Sequence, residues 1–150
     1  MDESHTWTLR VSSEDPVSAT AYVRRHRFDV GVPLQFDEEY DCVTSLEYVL
    51  GAIASDVVVG FRRLARRRRL DVDRVEALVH GQVDNPLTFL QVVGEEGHPG
   101  LTDVVLKVYV SSIDPPDRVN AVWEETLRTS PLVRTFQDCV ELRLEHEVVI

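Results

Sequence analysis

The chain has 150 residues, a length typical of one domain, so we expect a single domain spanning residues 1–150. Hydrophobic residues make up 43% of the chain and charged residues 28%, as in ordinary soluble globular proteins. The formal net charge is −10, which argues against a surface that broadly attracts nucleic acid or anionic lipid.

The N-terminal segment, Met1 to Arg10, is polar and acidic and has no apolar core of the kind found in secretory signals. No apolar run approaches the roughly 18 residues that a membrane span needs. Two cysteines, Cys42 and Cys139, are too few for a disulfide framework, and neither they nor the histidines are spaced as metal ligands. We therefore expect a cytoplasmic protein with reduced thiols, no membrane association, no metal and no cofactor.

The first segment, up to about Phe36, contains short alternating stretches such as residues 19–23, which predict antiparallel strands. An acidic, turn-rich stretch follows at residues 37–41. The strongest predicted element comes next. Thr44 and Glu47 have the spacing of a helix capping box, with the glutamate three residues after the threonine.

This central helix is apolar on almost every side between Tyr48 and Phe61. A helix of that kind has to be buried all round. A chain this short can hardly surround it alone, so we expect the second copy in a homodimer to complete the burial.

The helix then turns cationic, because six of the sixteen basic residues lie between Arg62 and Arg69. Cations at a helix C-terminus complement its dipole, and a solvated, dipole-matched end is the favoured interpretation. The alternative is a nucleic-acid or phosphate site.

The rest of the chain predicts two alternating strands, a second helix and a last strand, which gives an α+β order overall. We expect Asp114 to cap the second helix, with a proline at its first position and Ser130-Pro131 at its end. The last strand is expected to begin near Cys139, with that thiol buried and inert.

Asp56 is the single charged residue between Tyr48 and Phe61. Burying an isolated carboxylate is costly unless it is paired or protonated. None of its neighbours one helical turn away can pair with it, so a partner must come from elsewhere in the fold or from the second subunit. Asp56 is therefore either a site residue or a structural carboxylate bonded to an arginine or to backbone N–H groups.

Three segments resemble the OsmC/Ohr family. Residues 44–56 (TSLEYVLGAIASD) resemble its helix start, in which a glutamate is followed by small residues and then a cysteine. Residues 65–73 resemble the end of that helix and the following strand, and residues 130–135 resemble the segment around the family's second cysteine. The resemblance covers about residues 19–143.

The resemblance implies an OsmC-like α+β fold, in which antiparallel sheets wrap around a long buried central helix in an intertwined homodimer. It also implies two active sites at the subunit interface. In the family, a cysteine on the central helix attacks a hydroperoxide, and a second cysteine then converts the sulfenate to a disulfide.

This chain departs from the family at both cysteines, since Asp56 stands at the first position and Ser130 at the second. A carboxylate cannot replace a low-pKa thiolate, and a hydroxyl cannot trap a sulfenate. Glu47 matches the family glutamate, although the capping box explains it equally well. Among the residues where the family places an N-terminal arginine, Arg25 is the preferred partner of Asp56.

Three functions are compatible with these residues. The leading hypothesis is a non-peroxidatic homodimer that keeps an interfacial pocket, lined by Ser130, for a small apolar or anionic ligand. The second is a divergent enzyme, either a thiol-dependent reductase or peroxidase of the oxidative-stress response that uses Cys42, or an acid/base catalyst that uses Asp56 and Ser130. The third is a structural dimer whose Arg62–Arg69 run contacts an acidic partner.

Overall fold

The computed structural model describes residues 5–150, which form six strands and four helices. In chain order they are β1 (Arg10–Asp15), β2 (Ser18–Val23), β3 (His26–Gly31), α1 (Ser45–Arg67), β4 (Val72–Val83), α2 (Pro86–Phe89), β5 (Leu101–Ser112), α3 (Pro116–Thr129), α4 (Pro131–Phe136) and β6 (Glu141–Val149). This is the α+β class that the sequence predicts. The chain divides into two compact units, the first ending at Val49 and the second running from Leu50 to Ile150.

In the first unit, β1, β2 and β3 form a three-stranded antiparallel sheet in sequence order. Gly31, at the end of β3, lies against the loop that leads to α1. A Cβ at this position would come within 2.6 Å of the Tyr40 hydroxyl and 2.7 Å of the Cys42 Cβ. The Gly31 amide also donates to the Val43 carbonyl at 2.8 Å. The absence of a side chain therefore allows the loop to approach the strand.

The second unit is built on a three-stranded sheet with β5 at its centre, antiparallel to β4 and parallel to β6. Alternate residues of β5 are fully buried, as the alternating pattern predicts, and these are Val104, Leu106, Val108 and Val110. Leu106, Val108 and Val110 form one hydrophobic core with side chains of α1 and α3, among them Phe61 and Trp123. This core holds α1 against one face of the sheet.

Within the second unit, α1 buries one stripe of side chains, namely Ile53, Val57, Phe61 and Leu64. The opposite face carries Gly51, Ala52, Ser55 and Val59, all of which are exposed. Val59 alone keeps 64% of its surface exposed. The helix is apolar all round between Tyr48 and Phe61, but the second unit covers only one side of it, so burial by a second copy stays a prediction.

The start of α3 differs from the sequence prediction by one residue. The residue that precedes the helix is Pro115, in an extended conformation (φ −55°, ψ 139°), and Pro116 opens the helix. A residue before a proline is disfavoured in the helical region, so the first of two prolines stays outside the helix. Asp114 is no cap; its carboxylate instead accepts from the Asp71 amide at 2.6 Å and from Arg118 at 2.8 Å.

Candidate functional site

Asp56 finds its hydrogen-bond partners at the junction between α3 and α4, far along the chain. The Ser130 hydroxyl donates to Asp56 Oδ2, and the Leu132 backbone N–H donates to the same oxygen at 3.2 Å. As expected from its position in α1, the partners come from elsewhere in the fold. They are a hydroxyl and a backbone amide.

The position of Ser130 follows from its double role in capping. It ends α3 in an extended conformation (φ −69°, ψ 119°) and is also the N-cap of α4, with Pro131 as the first residue of that helix. Its Oγ accepts from the Val133 amide at 3.2 Å while its hydroxyl proton is donated to Asp56. Only 5% of Ser130 is exposed, so the hydroxyl is held in one place with both of its functions used.

Asp56 and Ser130 are an acceptor and a donor that are already hydrogen-bonded to each other. Asp56 is partly buried, and its second carboxylate oxygen, Oδ1, stays outside the two hydrogen bonds that Ser130 and Leu132 make. Neither side chain offers a thiol, the group on which hydroperoxide reduction by the OsmC/Ohr family depends. The arrangement can bind a polar group of a ligand but cannot form a sulfenate or a disulfide.

Glu47 and Thr44 form the predicted capping box at the start of α1. The Glu47 carboxylate accepts from the Thr44 amide at 3.0 Å and from its hydroxyl at 2.9 Å, and the Glu47 amide donates to Thr44 Oγ1 at 3.2 Å. The hydrogen bonds from the Thr44 amide and hydroxyl lower the pKa of the Glu47 carboxyl, outweighing a small desolvation effect. Glu47 thus has a structural role that needs no ligand.

Arg25 lies in the turn between β2 and β3 and is exposed. The residue before it, Arg24, adopts the left-handed conformation that closes the turn (φ 53°). Arg25 belongs to the first unit and Asp56 to the second. Their pairing stays a prediction.

Neither cysteine is part of the Asp56–Ser130 contact. Cys42 is partly buried in the loop before α1, and both thiols are free. The expectation that Cys139 is buried at the start of the last strand is wrong. Cys139 is exposed in the turn after α4, where its amide donates to the Phe136 carbonyl at 2.9 Å, and β6 begins only at Glu141.

Sequence reasoning missed the backbone donor of the site, the Leu132 N–H. It also missed α4, which is only six residues long and follows α3 after a single residue. The one available signal was the Ser-Pro pair, which ends one helix and is equally typical of the start of another.

Within residues 5–150, no three His, Cys, Asp or Glu side chains are grouped so that they could hold a metal ion. No helix in that range is long and apolar enough to cross a membrane.

Comparison of the chain with known proteins identifies its family. The model of the family described as OsmC-like protein matches residues 37–145. No curated protein matches the sequence.

Among solved structures, the fold resembles an OsmC-like protein from Mycoplasma pneumoniae (TM-score 0.77, 15% identity, 99% of this chain and 98% of that chain). It also resembles the organic hydroperoxide resistance protein OsmC from Legionella pneumophila (0.68, 10%, 95% and 98%). A third similar structure is the organic hydroperoxide resistance protein OhrB of Bacillus subtilis (0.60, 12%, 94% and 98%). With a family model that matches well over half of its length, this chain belongs to the OsmC-like protein family.

Proposed function

We propose that this chain is a non-peroxidatic OsmC-like homodimer that binds a small, largely apolar ligand with a hydrogen-bond donor beside Asp56 and Ser130, at the subunit interface. The observation that carries the proposal is the hydrogen bond from Ser130 to Asp56. The two residues stand where the resemblance places the family's cysteines, and they touch. Two thiols at these positions would lie close together, but neither residue carries one.

The contact supports binding over catalysis. The Ser130 hydroxyl already donates to a carboxylate and accepts from the Val133 amide, so it is held as a structural cap. A serine nucleophile needs a base that removes its proton during attack on a bound substrate, commonly a histidine. The Asp56 carboxylate, whose Oδ1 lies outside both hydrogen bonds, is instead suited to accept a hydrogen bond from a ligand.

The dimer is supported by the uncovered face of α1, which carries Gly51, Ala52, Ser55 and Val59. A stripe of small and apolar residues on a long helix permits close approach of a second helix. Asp56 adjoins this stripe along the helix, so a second copy seated there would enclose the site. Sedimentation at low micromolar concentration should give about twice the chain mass of 17.1 kDa. A folded monomer under those conditions would remove the interfacial pocket from the proposal.

The cellular setting is proposed from the names of the relatives. Two of the similar structures are organic hydroperoxide resistance proteins, which supports a role for this chain in the same oxidative-stress response. The two free thiols agree with a cytoplasmic location, where cysteines stay reduced.

The proposed pocket can be tested with the Leu132 amide as a reporter, because its N–H is bonded to Asp56. The probe is 2-phenylpropan-2-ol, a small apolar alcohol, titrated into 15N-labelled protein. We expect a saturable shift of the Leu132 amide resonance, and in Asp56→Ala a much weaker response. A Leu132 resonance that does not move up to the solubility limit of the probe would refute the pocket.

A further inference from the structure

We infer that the loop between β4 and β5 of one subunit docks on the C-terminal half of α1 of a second copy. The loop comprises residues 84–100 and is here called the β4–β5 loop. The surface that receives it is here called the arginine face and consists of Val59, Arg62, Arg63 and Arg66. This inference rests on the homodimer proposed above and adds a second pair of surfaces that joins its subunits.

The β4–β5 loop exposes a group of neighbouring apolar side chains. Val93 is 99% exposed, and the other exposed apolar residues of the loop are Leu87, Phe89, Leu90 and Val92. Apolar residues scattered singly over a surface need no explanation, whereas a contiguous apolar patch usually marks a contact surface. The loop is therefore a candidate for docking.

Hydrogen bonds across the base of the β4–β5 loop hold it in one shape. The Asp84 carboxylate accepts from the His98 amide at 3.0 Å. The Asn85 side-chain amide donates to the Glu95 carboxylate and to the Glu96 carbonyl, both at 2.9 Å. A loop that is already fixed in this way loses little conformational entropy when it docks.

The arginine face combines an apolar residue with unpaired cations on one side of α1. Its residues recur at three- and four-residue spacing, and Val59 is 64% exposed. Arg62 is held by the backbone, because it donates to the Asp73 carbonyl at 3.2 Å. Within residues 5–150, neither Arg63 nor Arg66 has a carboxylate within 4.0 Å. The described part of the chain thus supplies no counter-ion for these two arginines.

The two surfaces have opposite charge. Residues 84–100 contain three carboxylates and no lysine or arginine. Glu95 and Glu96 closely follow the exposed Val93, and in the described range neither has a cation within 4.0 Å. An apolar tip beside two carboxylates complements an apolar residue beside arginines, and such complementarity selects a partner. The same carboxylates argue against an anionic lipid surface as the occupant.

Within one chain the two surfaces lie at opposite ends of α1. The Arg62 side chain reaches Asp73 at the start of β4. Gly81, near the end of β4, lies against Leu50 close to the N-terminus of α1, and a Cβ on Gly81 would come within 2.8 Å of the Leu50 side chain. The 12 residues of β4 separate its two ends by roughly 35 Å. The arginine face is therefore out of reach of the β4–β5 loop of its own chain.

A two-fold axis across the middle of α1 would bring the two surfaces together between subunits. The uncovered stripe of α1 is centred on Ser55, close to the midpoint of the helix. Two copies packed antiparallel on this stripe would place the C-terminal end of one helix beside the N-terminal end of the other. The arginine face also continues the stripe, because Val59 belongs to both. Symmetry would give two such contacts in each dimer.

The test is coexpression of two charge-reversed variants with different tags, followed by native mass spectrometry of the dimers. Arg63→Glu/Arg66→Glu alone, or Glu95→Arg/Glu96→Arg alone, places like charges at both contacts, and each variant should shift toward monomer in sedimentation. The mixed dimer restores opposite charges at both contacts. It should make up about nine-tenths of the dimers instead of the statistical half.

The control is Arg67→Glu/Arg143→Glu, which reverses two exposed arginines outside the arginine face. Coexpressed with Glu95→Arg/Glu96→Arg, it should give the statistical half of mixed dimers. The same half from the two charge-reversed variants would overturn the inference. If the parent then still sediments as a dimer, the proposed homodimer stands and the loop serves another occupant; a monomeric parent would remove both.

A fourfold variant separates a contact between subunits from one within a chain. Arg63→Glu/Arg66→Glu/Glu95→Arg/Glu96→Arg restores opposite charges in either case, and it should sediment as a dimer like the parent. Mixing the two double variants restores them only if the contact crosses between subunits. Recovery in the fourfold variant without a preference for the mixed dimer would therefore contradict docking on a second copy.

Discussion

Two charged regions of α1 differ in whether the chain supplies partners for their charged side chains. Asp56 lies in the apolar part of the helix and receives two hydrogen bonds from the α3–α4 junction. The run from Arg62 to Arg69 lies at the exposed end, where Arg68 has a carboxylate partner and Arg63 and Arg66 have none within residues 5–150. A polar group in a packed region must be paired, because water cannot replace a missing partner there. At an exposed end water can solvate the charge, so an arginine without a carboxylate partner is tolerated there.

The largest effect is expected from removing the Asp56 carboxylate. Asp56→Ala leaves the Ser130 hydroxyl and the Leu132 N–H without their acceptor, which should lower the free energy of unfolding by about 1–3 kcal/mol. Asp56→Asn keeps an oxygen acceptor and should cost less than half as much. Urea unfolding at neutral pH measures both. If Arg25 pairs with Asp56, as the family resemblance predicts, Asp56→Asn and Asp56→Ala should instead both cost roughly 3–5 kcal/mol.

Ser130→Ala tests the same contact from the other side. It removes a donor to Asp56 and the cap of α4, and should cost about 1–2 kcal/mol. Because both variants break one hydrogen bond, the Asp56→Ala/Ser130→Ala double variant should lose less than the sum of the single losses. Strict additivity in urea unfolding would show that the two side chains do not interact.

His146 extends the comparison to a titratable group on the core side of β6. Its ring lies 4.8 Å from the ring of Trp123, and burial lowers the pKa of His146, an effect that the charge of Glu124 partly offsets. Because its pKa is lowered in the folded state, folding favours neutral His146. The stability that depends on the neutral ring is therefore present above about pH 6.5 and is lost as the pH falls below it.

Unfolding of the parent and of His146→Phe between pH 7.5 and 5.5 measures this dependence, and the parent should lose more stability on acidification than the variant. His80→Gln, on the exposed side of β4, is the matched control and should follow the parent. Identical slopes for the parent and His146→Phe would mean that burial of His146 does not govern its titration.

The smallest effect is expected at the capping box, where the Glu47 side chain is exposed. Hydrogen bonds from Thr44 lower the pKa of Glu47, so the stability contributed by its carboxylate is present at neutral pH and is lost as the pH falls through the lowered pKa. Glu47→Gln should cost about 0.5 kcal/mol or less at pH 7 and nothing at acid pH, once the carboxyl is protonated below its lowered pKa. A loss of several kcal/mol at pH 7 would point to a role for Glu47 beyond capping.

The elements that sequence predicts well are those whose determinants are local. The start of α1 follows from Thr44 and Glu47, which are three residues apart, and β5 follows from strict alternation along one strand. The start of α3 is predicted one residue too early because Asp114 is of a residue type that commonly caps helices. Its carboxylate instead accepts a hydrogen bond from the backbone amide of Asp71, which lies between α1 and β4.

The candidate site depends on contacts between distant parts of the chain. Asp56 and Ser130 are 74 residues apart, and no local pattern reveals their hydrogen bond. The family resemblance brought both positions to one site, but it favoured Arg25 as the partner of Asp56. The Leu132 amide could not be anticipated, since every residue except proline carries the same backbone donor.

The central claim, that an aspartate and a serine have replaced the reactive thiols, is tested most directly by hydroperoxide consumption. The assay supplies cumene hydroperoxide with dithiothreitol, whose two thiols become a disulfide as the hydroperoxide is reduced to its alcohol and water. The parent should show no turnover above background, and Asp56→Cys/Ser130→Cys should form a disulfide and gain thiol-dependent turnover. Robust turnover in the parent that disappears in Cys42→Ser would contradict the account, because the chemistry would then reside on Cys42.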